Sequence, residues 1–199
     1  MKPTLDLWFE FASTYSYLTV MRIGPVAEVA GLSLKWRPFL LGPIFNEQGW
    51  NDSPFNIYPK KGAYMWRDLE RLCEGYGLYF KRPSKFPRNG LLAARAALVA
   101  GEGRWCPEFT RAVYRANFAE DREISDPAVL TEIISDLGQD PSATLEAANT
   151  ETNKGRLKTQ TEAARTAGIF GSPSFASDGE LFWGNDRMGD AIAWALGAR

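Results

Sequence analysis

Histidine is absent from this chain of 199 residues, and cysteine occurs only twice. Without imidazole, the Ser-His-Asp and Cys-His arrangements and the usual zinc-hydrolase site are excluded as ordinarily built, because each uses histidine as base or ligand. Cys73 and Cys106 are far apart in sequence and form neither a CxxC pair nor a metal-ligand spacing. They read as reduced, buried thiols, and no metal is expected. A charge excess is missing too: 23 Lys and Arg against 24 Asp and Glu leave a net charge of −1, with the basic residues scattered. A nucleic-acid partner would need them clustered on one face, so none is expected. No apolar run approaches the roughly 18 residues of a membrane span. Asp6 interrupts the first apolar stretch, unlike the core of a signal peptide. The expectation is a cytoplasmic protein without a membrane partner, whose reactive group is unusual or brought in from outside.

What is present begins with Leu5-Asp6-Leu7-Trp8-Phe9-Glu10-Phe11, a bulky apolar run suited to a central strand. It gives way at Ala12-Ser13-Thr14-Tyr15-Ser16 to a helical rhythm over 14–30, in which Pro25 predicts a kink or a break. A second strand over 32–40 completes a β-α-β unit with a parallel crossover. Residues 41–60 are rich in Gly, Pro, Asn and aromatics and read as a long functional loop. From 61 to about 168 the pattern is helical throughout. The segments begin with signals such as Pro107 and the Asp-Pro pairs at 126–127 and 140–141. Strands return at 174–176 and 180–183 around Ser177-Asp178-Gly179, a hairpin signal, and a helix is expected over 186–199. The fold class is α/β, a small mixed sheet split by an all-helical insertion. Segments 1–40 and 150–199 form the sheet domain, and 41–149 form the aromatic loop and insertion domain.

Two features carry chemistry. Ser13 sits just past the carboxyl end of the first strand and at the start of the first helix. Ligands bind at that edge of open α/β sheets, and helix N-termini stabilise anions, thiolates included. As a plain alternative, Ser13 or Thr14 merely caps the helix. The second feature is "GIFGSPSF" (168–175), where Pro173 before a strand is either a cis-proline turn or an ordinary trans one. The residue before a cis-proline turn exposes backbone groups to an extended peptide. Together the two would hold a thiol peptide, sulfur at the helix and backbone at the loop.

These stretches resemble the thioredoxin-like fold in its helical-insertion version, and more closely the glutathione-dependent 2-hydroxychromene-2-carboxylate isomerases and kappa-class glutathione transferases. "WFEFASTYSYL" is similar to the family's first strand and serine loop. "RPFLLGPIFNEQG" and "YPKKGAYMWRDLER" are similar to its loop and first insertion helix, and "GIFGSPSFASDGELFWGNDRM" to its C-terminal signature. Many members have Ser-Pro where this chain has Ser13-Thr14. The resemblance implies glutathione as cofactor, a small aromatic carboxylate as substrate, a disulfide-oxidoreductase-like architecture and a homodimer. It implies that Ser13 holds the glutathione sulfur as a thiolate, with Tyr15, Asn51, Lys61, Ser172, Pro173, Asn185 and Asp186 completing the cofactor site. Asp186 would face the γ-glutamyl ammonium, or simply cap the last helix. The aromatics Phe45, Trp50, Tyr58 and Trp66 are candidates to wall a planar substrate, a role assigned only to the loop members Phe45, Trp50 and Tyr58, and Lys61 would meet a carboxylate. The implied reaction interconverts 2-hydroxychromene-2-carboxylate and trans-o-hydroxybenzylidenepyruvate by reversible thiolate addition. The alternatives are a kappa-like transferase or peroxidase, and a non-catalytic thioredoxin-like binding module.

Overall fold

In the computed structural model, which describes residues 2–198, the N-terminal apolar run is strand β1 (Thr4–Phe9). The chain continues through α1 (Thr14–Val29) into β2 (Ser33–Pro38), which pairs parallel with β1 from Thr4↔Ser33 to Phe9↔Pro38. Near the C-terminus, β3 (Ser174–Ser177) pairs antiparallel with β1, and β4 (Glu180–Trp183) pairs antiparallel with β3. The order β2-β1-β3-β4 leaves β1 flanked on both sides, which is why Leu5, Leu7, Trp8 and Phe9 are all buried. The β3–β4 turn puts Asp178 (φ 50°) and Gly179 (φ 82°) in left-handed conformations, as a two-residue hairpin requires.

Helix α1 neither breaks nor splits at Pro25. Pro25 lies on the exposed face, while Ile23 and Ala27 on the other face are buried and hold the last turn to the core. The segment 41–60 is not a loop. It forms α2 (Leu41–Glu47), α3 (Pro54–Ile57) and the start of α4 (Pro59–Tyr76). Its prolines read as breakers but stand in first turns, where the missing N–H has no intrahelical partner to lose. Pro54 and Pro59 are each the first residue of a helix, and the Ser53 side chain caps α3.

The helical block continues as α5 (Leu91–Glu102), α6 (Cys106–Phe118), α7 (Pro127–Asp136), α8 (Pro141–Asn149) and α9 (Glu151–Thr166). Asp126 and Asp140 cap α7 and α8 as the Asp-Pro pairs implied. The last helix, α10 (Met188–Ala195), starts later than expected, because Asn185–Arg187 form a separate 3₁₀ turn. Among the described residues no helix is long and apolar enough to cross a membrane.

The helical block and the sheet share one apolar core. Phe9 and Phe11 pack on Tyr114, Phe11 also on Phe109, and Tyr17 stacks on Phe118 at 5.6 Å between ring centroids. Buried Asn117 of α6 ties the two parts together: its Nδ2 donates to the Phe11 carbonyl at 3.0 Å, and its Oδ1 accepts from Arg88 at 3.0 Å. Replacing Asn117 by Leu keeps the volume but orphans a buried carbonyl and removes a partner of a buried guanidinium. The expected loss is about 3 kcal/mol, read as a lower urea midpoint with an unchanged slope.

Candidate active site

A cavity of ≈ 970 Å³ opens at the carboxyl end of β1. Its walls are the start of α1, the α2–α4 segment, residues 86–91 leading into α5, and the loops on either side of the β3–β4 hairpin. Ligand pockets usually span about 300–1,000 Å³, so this one is at the upper end.

Ser13 is the N-cap of α1, and it also faces the cavity. Its Oγ accepts from the Ser16 N–H at 3.3 Å and donates to the Ser172 carbonyl at 2.7 Å. The N–H groups of Thr14 and Tyr15 have no partner among the described residues. The helix start is therefore a cradle of unused donors carrying partial positive charge. Opposite it, the Ser172–Pro173 peptide bond is cis. The Ser172 carbonyl is already engaged by Ser13, whereas its N–H has no partner among the described residues. Ser172 Oγ lies 2.6 Å from Ser16 Oγ and accepts from the Glu10 N–H at 3.0 Å. Pro173 itself is buried behind the lining and does not face the cavity, contrary to its expected contact role.

Around this centre, Tyr15 lines the cavity and donates its hydroxyl to Asp68 at 3.0 Å; burial and that carboxylate push its pKa up. Asn51, Lys61, Phe45 and Trp50 also line it, with the Phe45 and Trp50 rings 5.5 Å apart. The Lys61 ammonium lies 5.8 Å from the Phe55 ring centroid and has no ion pair among the described residues. Asp186 is exposed at the rim, 3.6 Å from the Arg187 guanidinium, and caps no helix. Gly184 (φ 112°) makes its position possible, since a Cβ there would stand 2.5 Å from the Asp186 carboxylate.

Two further expected contacts, those of Tyr58 and Asn185, are not made. Tyr58 is half exposed at the start of α4 and points elsewhere than the cavity. Trp66 is buried against Phe80 and Phe86, because α4 turns that face to the core. Asn185 is buried toward α1, accepting from Thr19 and Arg22 at 3.2 and 2.8 Å, so it ties the 3₁₀ turn to the first helix. Conversely, the cavity is lined by residues with no assigned role: Phe55, Arg88, Gly90, Phe170, Trp183 and above all Glu10. The sequence signal for Glu10 was a carboxyl between two phenylalanines at the end of a buried strand.

β1 ends at Phe9, so Glu10 turns off the sheet into the cavity floor. It is partly buried and lines the cavity. Its Oε2 accepts from the Ala12 N–H at 3.0 Å, and its Oε1 has no partner among the described residues. Burial lifts its pKa from 4.5 to about 7, against the smaller lowering effect of the Ala12 bond. The cysteines have no part in this: both are unpaired and buried, which raises each thiol to about 11. No cluster that would hold a metal occurs among the described residues.

A serine on the βα turn, a cis-proline loop facing it and an inserted helical block define a thioredoxin-like domain without a redox cysteine pair. The family model described as DSBA-like thioredoxin domain matches residues 4–195. A 2-hydroxychromene-2-carboxylate isomerase of Pseudomonas sp. (strain C18) is 31% identical over 193 residues, covering 92% of this chain and 86% of that protein. Glutathione S-transferase kappa 1 of Homo sapiens is 26% identical over 214 residues, covering 98% and 92%. A solved structure of selenomethionyl 2-hydroxychromene-2-carboxylate isomerase matches with a TM-score of 0.84 at 26% identity, covering 98% of this chain and 94% of that one. The chain belongs to the DsbA-like thioredoxin family, in its branch of 2-hydroxychromene-2-carboxylate isomerases and kappa-class glutathione transferases, which are enzymes.

Glu10 makes folding stability depend on pH. A carboxyl whose folded pKa is raised stabilises fully below its unfolded value, and that contribution is lost as pH rises through the folded value. Between pH 4.5 and about 7 the folded state therefore loses up to about 3 kcal/mol relative to a chain without this group. Paired urea titrations of wild type and Glu10→Gln should show wild type losing ground across that interval.

Proposed function

We propose that this protein is a glutathione-dependent isomerase that interconverts 2-hydroxychromene-2-carboxylate and trans-o-hydroxybenzylidenepyruvate by reversible thiolate addition. The observation that carries this reading is Ser13, a hydroxyl at the helix start where a disulfide oxidoreductase of this fold has its nucleophilic cysteine. The unused N–H groups of Thr14, Tyr15 and Ser172 and the size of the cavity fit a thiol tripeptide. Glutathione supplies a soft nucleophile that adds to a conjugated double bond and leaves again, so the bond can rotate while it is single.

The chain's own residues bind and tune. The α1 N-terminus and the Ser13 hydroxyl favour the ionised thiol over the neutral one, lowering its pKa from about 8.5 toward neutrality. To do so, Ser13 turns its O–H from the Ser172 carbonyl to the anion. That exchanges a neutral hydrogen bond of about 1 kcal/mol for a charge-assisted one roughly twice as strong. The Ser172 N–H pairs with the cysteinyl backbone, and Asp186 faces the γ-glutamyl ammonium across the rim. Asn51 adds a polar contact. Phe45 and Trp50 wall the planar substrate, and Lys61 meets its carboxylate. The protein works in the cytoplasm as a homodimer.

A kappa-like transferase is the second reading, favoured by the match to the human kappa enzyme over nearly the whole chain. Conjugation consumes glutathione, whereas isomerisation returns it. The assay follows 2-hydroxychromene-2-carboxylate and free thiol together, with and without glutathione. Turnover that requires glutathione and leaves its concentration unchanged is expected; equal rates without it would overturn the proposal. Ser13→Ala should lower kcat about 10- to 100-fold through the lost charge-assisted bond. It should also cost about 1 kcal/mol of stability through the lost cap. Trp50→Ala should raise KM for the substrate with little change in glutathione affinity, measured by calorimetry.

A further inference from the structure

The reading above leaves the proton chemistry of the substrate unassigned. 2-Hydroxychromene-2-carboxylate is a cyclic hemiketal, and opening its ring moves a proton from the C2 hydroxyl to the departing phenolic oxygen. We infer that Glu10 is the catalytic acid–base residue that moves this proton, an inference that rests on the isomerase reading. In the opening direction, the ring C–O bond breaks and its electron pair goes to the phenolic oxygen, which takes the proton from Glu10 Oε1. The C2 hydroxyl gives its proton to the same carboxylate as the C2 carbonyl forms. Glu10 ends as it began, and no other reactant is needed.

The geometry suits this task. Glu10 lines the same cavity as Ser13, three residues earlier on the same turn. Its two oxygens have different surroundings: Oε2 is held by the Ala12 N–H, whereas Oε1 is free to exchange a proton with a guest. Gly90 keeps the space in front of Oε1 open, since a Cβ there would stand 3.2 Å from it and 2.9 Å from Phe11 Cβ. The backbone is held on both sides. The Glu10 N–H donates to Ser172 Oγ at 3.0 Å, and the Glu10 carbonyl accepts from the Tyr114 hydroxyl at 2.6 Å. The carboxyl therefore has a fixed origin.

The ionisable groups around it leave it able to titrate. Tyr114 of α6 is buried and its pKa is raised, so it stays neutral. Arg88 lines the cavity before α5, but it is paired with Asp121 at 2.5 Å and lies 3.8 Å from Glu123. Lys61 and Tyr64 of α4, Tyr15 of α1, Asp52, Asp186 and Arg187 complete the charged and titratable lining. Burial rather than any of these sets the Glu10 pKa, at about 7. A carboxyl poised near the working pH serves as acid in one direction and base in the other.

The test uses full-length wild type, Glu10→Gln and Glu10→Asp. Infrared difference spectra of the glutathione-free protein, with the band assigned by its absence in E10Q, should show a carboxyl that titrates near neutrality and shifts when the open-chain product is added. With glutathione, E10Q should bind the tripeptide within a few-fold of wild type. Its kcat should fall about 10²- to 10³-fold, and the ionisation near neutrality should vanish from the kcat–pH profile. E10D, which withdraws the carboxyl by one methylene, should lose kcat with KM little changed; it is read alone if E10Q does not fold. Wild-type kcat and pH profile in either variant, or a carboxyl band indifferent to the product, overturns this inference and leaves the isomerase reading standing. A wild type that does not isomerise the substrate with glutathione overturns both.

Discussion

Everything at the candidate site depends on how the chain is held where it leaves β1. Main-chain groups of residues 10 and 11, past the sheet ladder, find partners on elements more than a hundred residues away in sequence. Glu10 N–H reaches Ser172 Oγ, the Glu10 carbonyl takes the Tyr114 hydroxyl, and the Phe11 carbonyl takes Asn117 Nδ2. A buried main-chain polar group without a partner is costly, so these contacts lock the turn in one conformation. Helix α6 and the cis-proline loop thus determine where Ser13 and Glu10 point. The inserted helices are structural to the site as well as forming one wall of it.

One short turn supplies two opposite electrostatic environments. At its far end, the unpaired first N–H groups of α1 carry partial positive charge beside the Ser13 hydroxyl. At its near end, Glu10 is far enough from bulk water that its neutral form competes with its charged form at neutral pH. Only Phe11 and Ala12 lie between them. Thiol redox chemistry at this turn would need a cysteine where Ser13 stands. With serine in place and both native thiols buried and raised to about 11, that chemistry is absent from this chain's own residues.

Much of this was readable in the residues, and the failures have physical causes. The alternation and bulk of residues 5–11, the Asp-Gly hairpin and the Asp-Pro helix starts are local signals; the hairpin and helix starts stand where they are read, and the strand ends two residues early, at Phe9. Segment 41–60 reads as a loop because proline carries two meanings: breaker in a helix interior, good first residue at its start. Composition alone does not say which. In sequence, Tyr58 belongs to the aromatic segment and Asn185 to the start of the last helix, yet neither lines the cavity. The direction of a side chain depends on which face of its helix or turn packs inward, and that is set by partners distant in the chain. Glu10 was overlooked for the converse reason. A carboxyl in an apolar run is conspicuous, but its environment is visible only when Tyr114, Gly90 and Ser172 are seen around it.

By itself, the sequence determined the chemistry that is excluded and the kinds of element present. No histidine and no paired cysteine limit the available reactive groups, and local periodicity and turn residues specify strands, helices and the β-α-β start. Only the tertiary structure decided which polar groups meet: that the Ser13 hydroxyl is shared with Ser172, that Asn185 serves α1, and that Glu10 stands in a recess with one free oxygen. Such facts depend on packing between segments remote in sequence, where burial and hydrogen-bond satisfaction are properties of the assembled core and not of any stretch of chain.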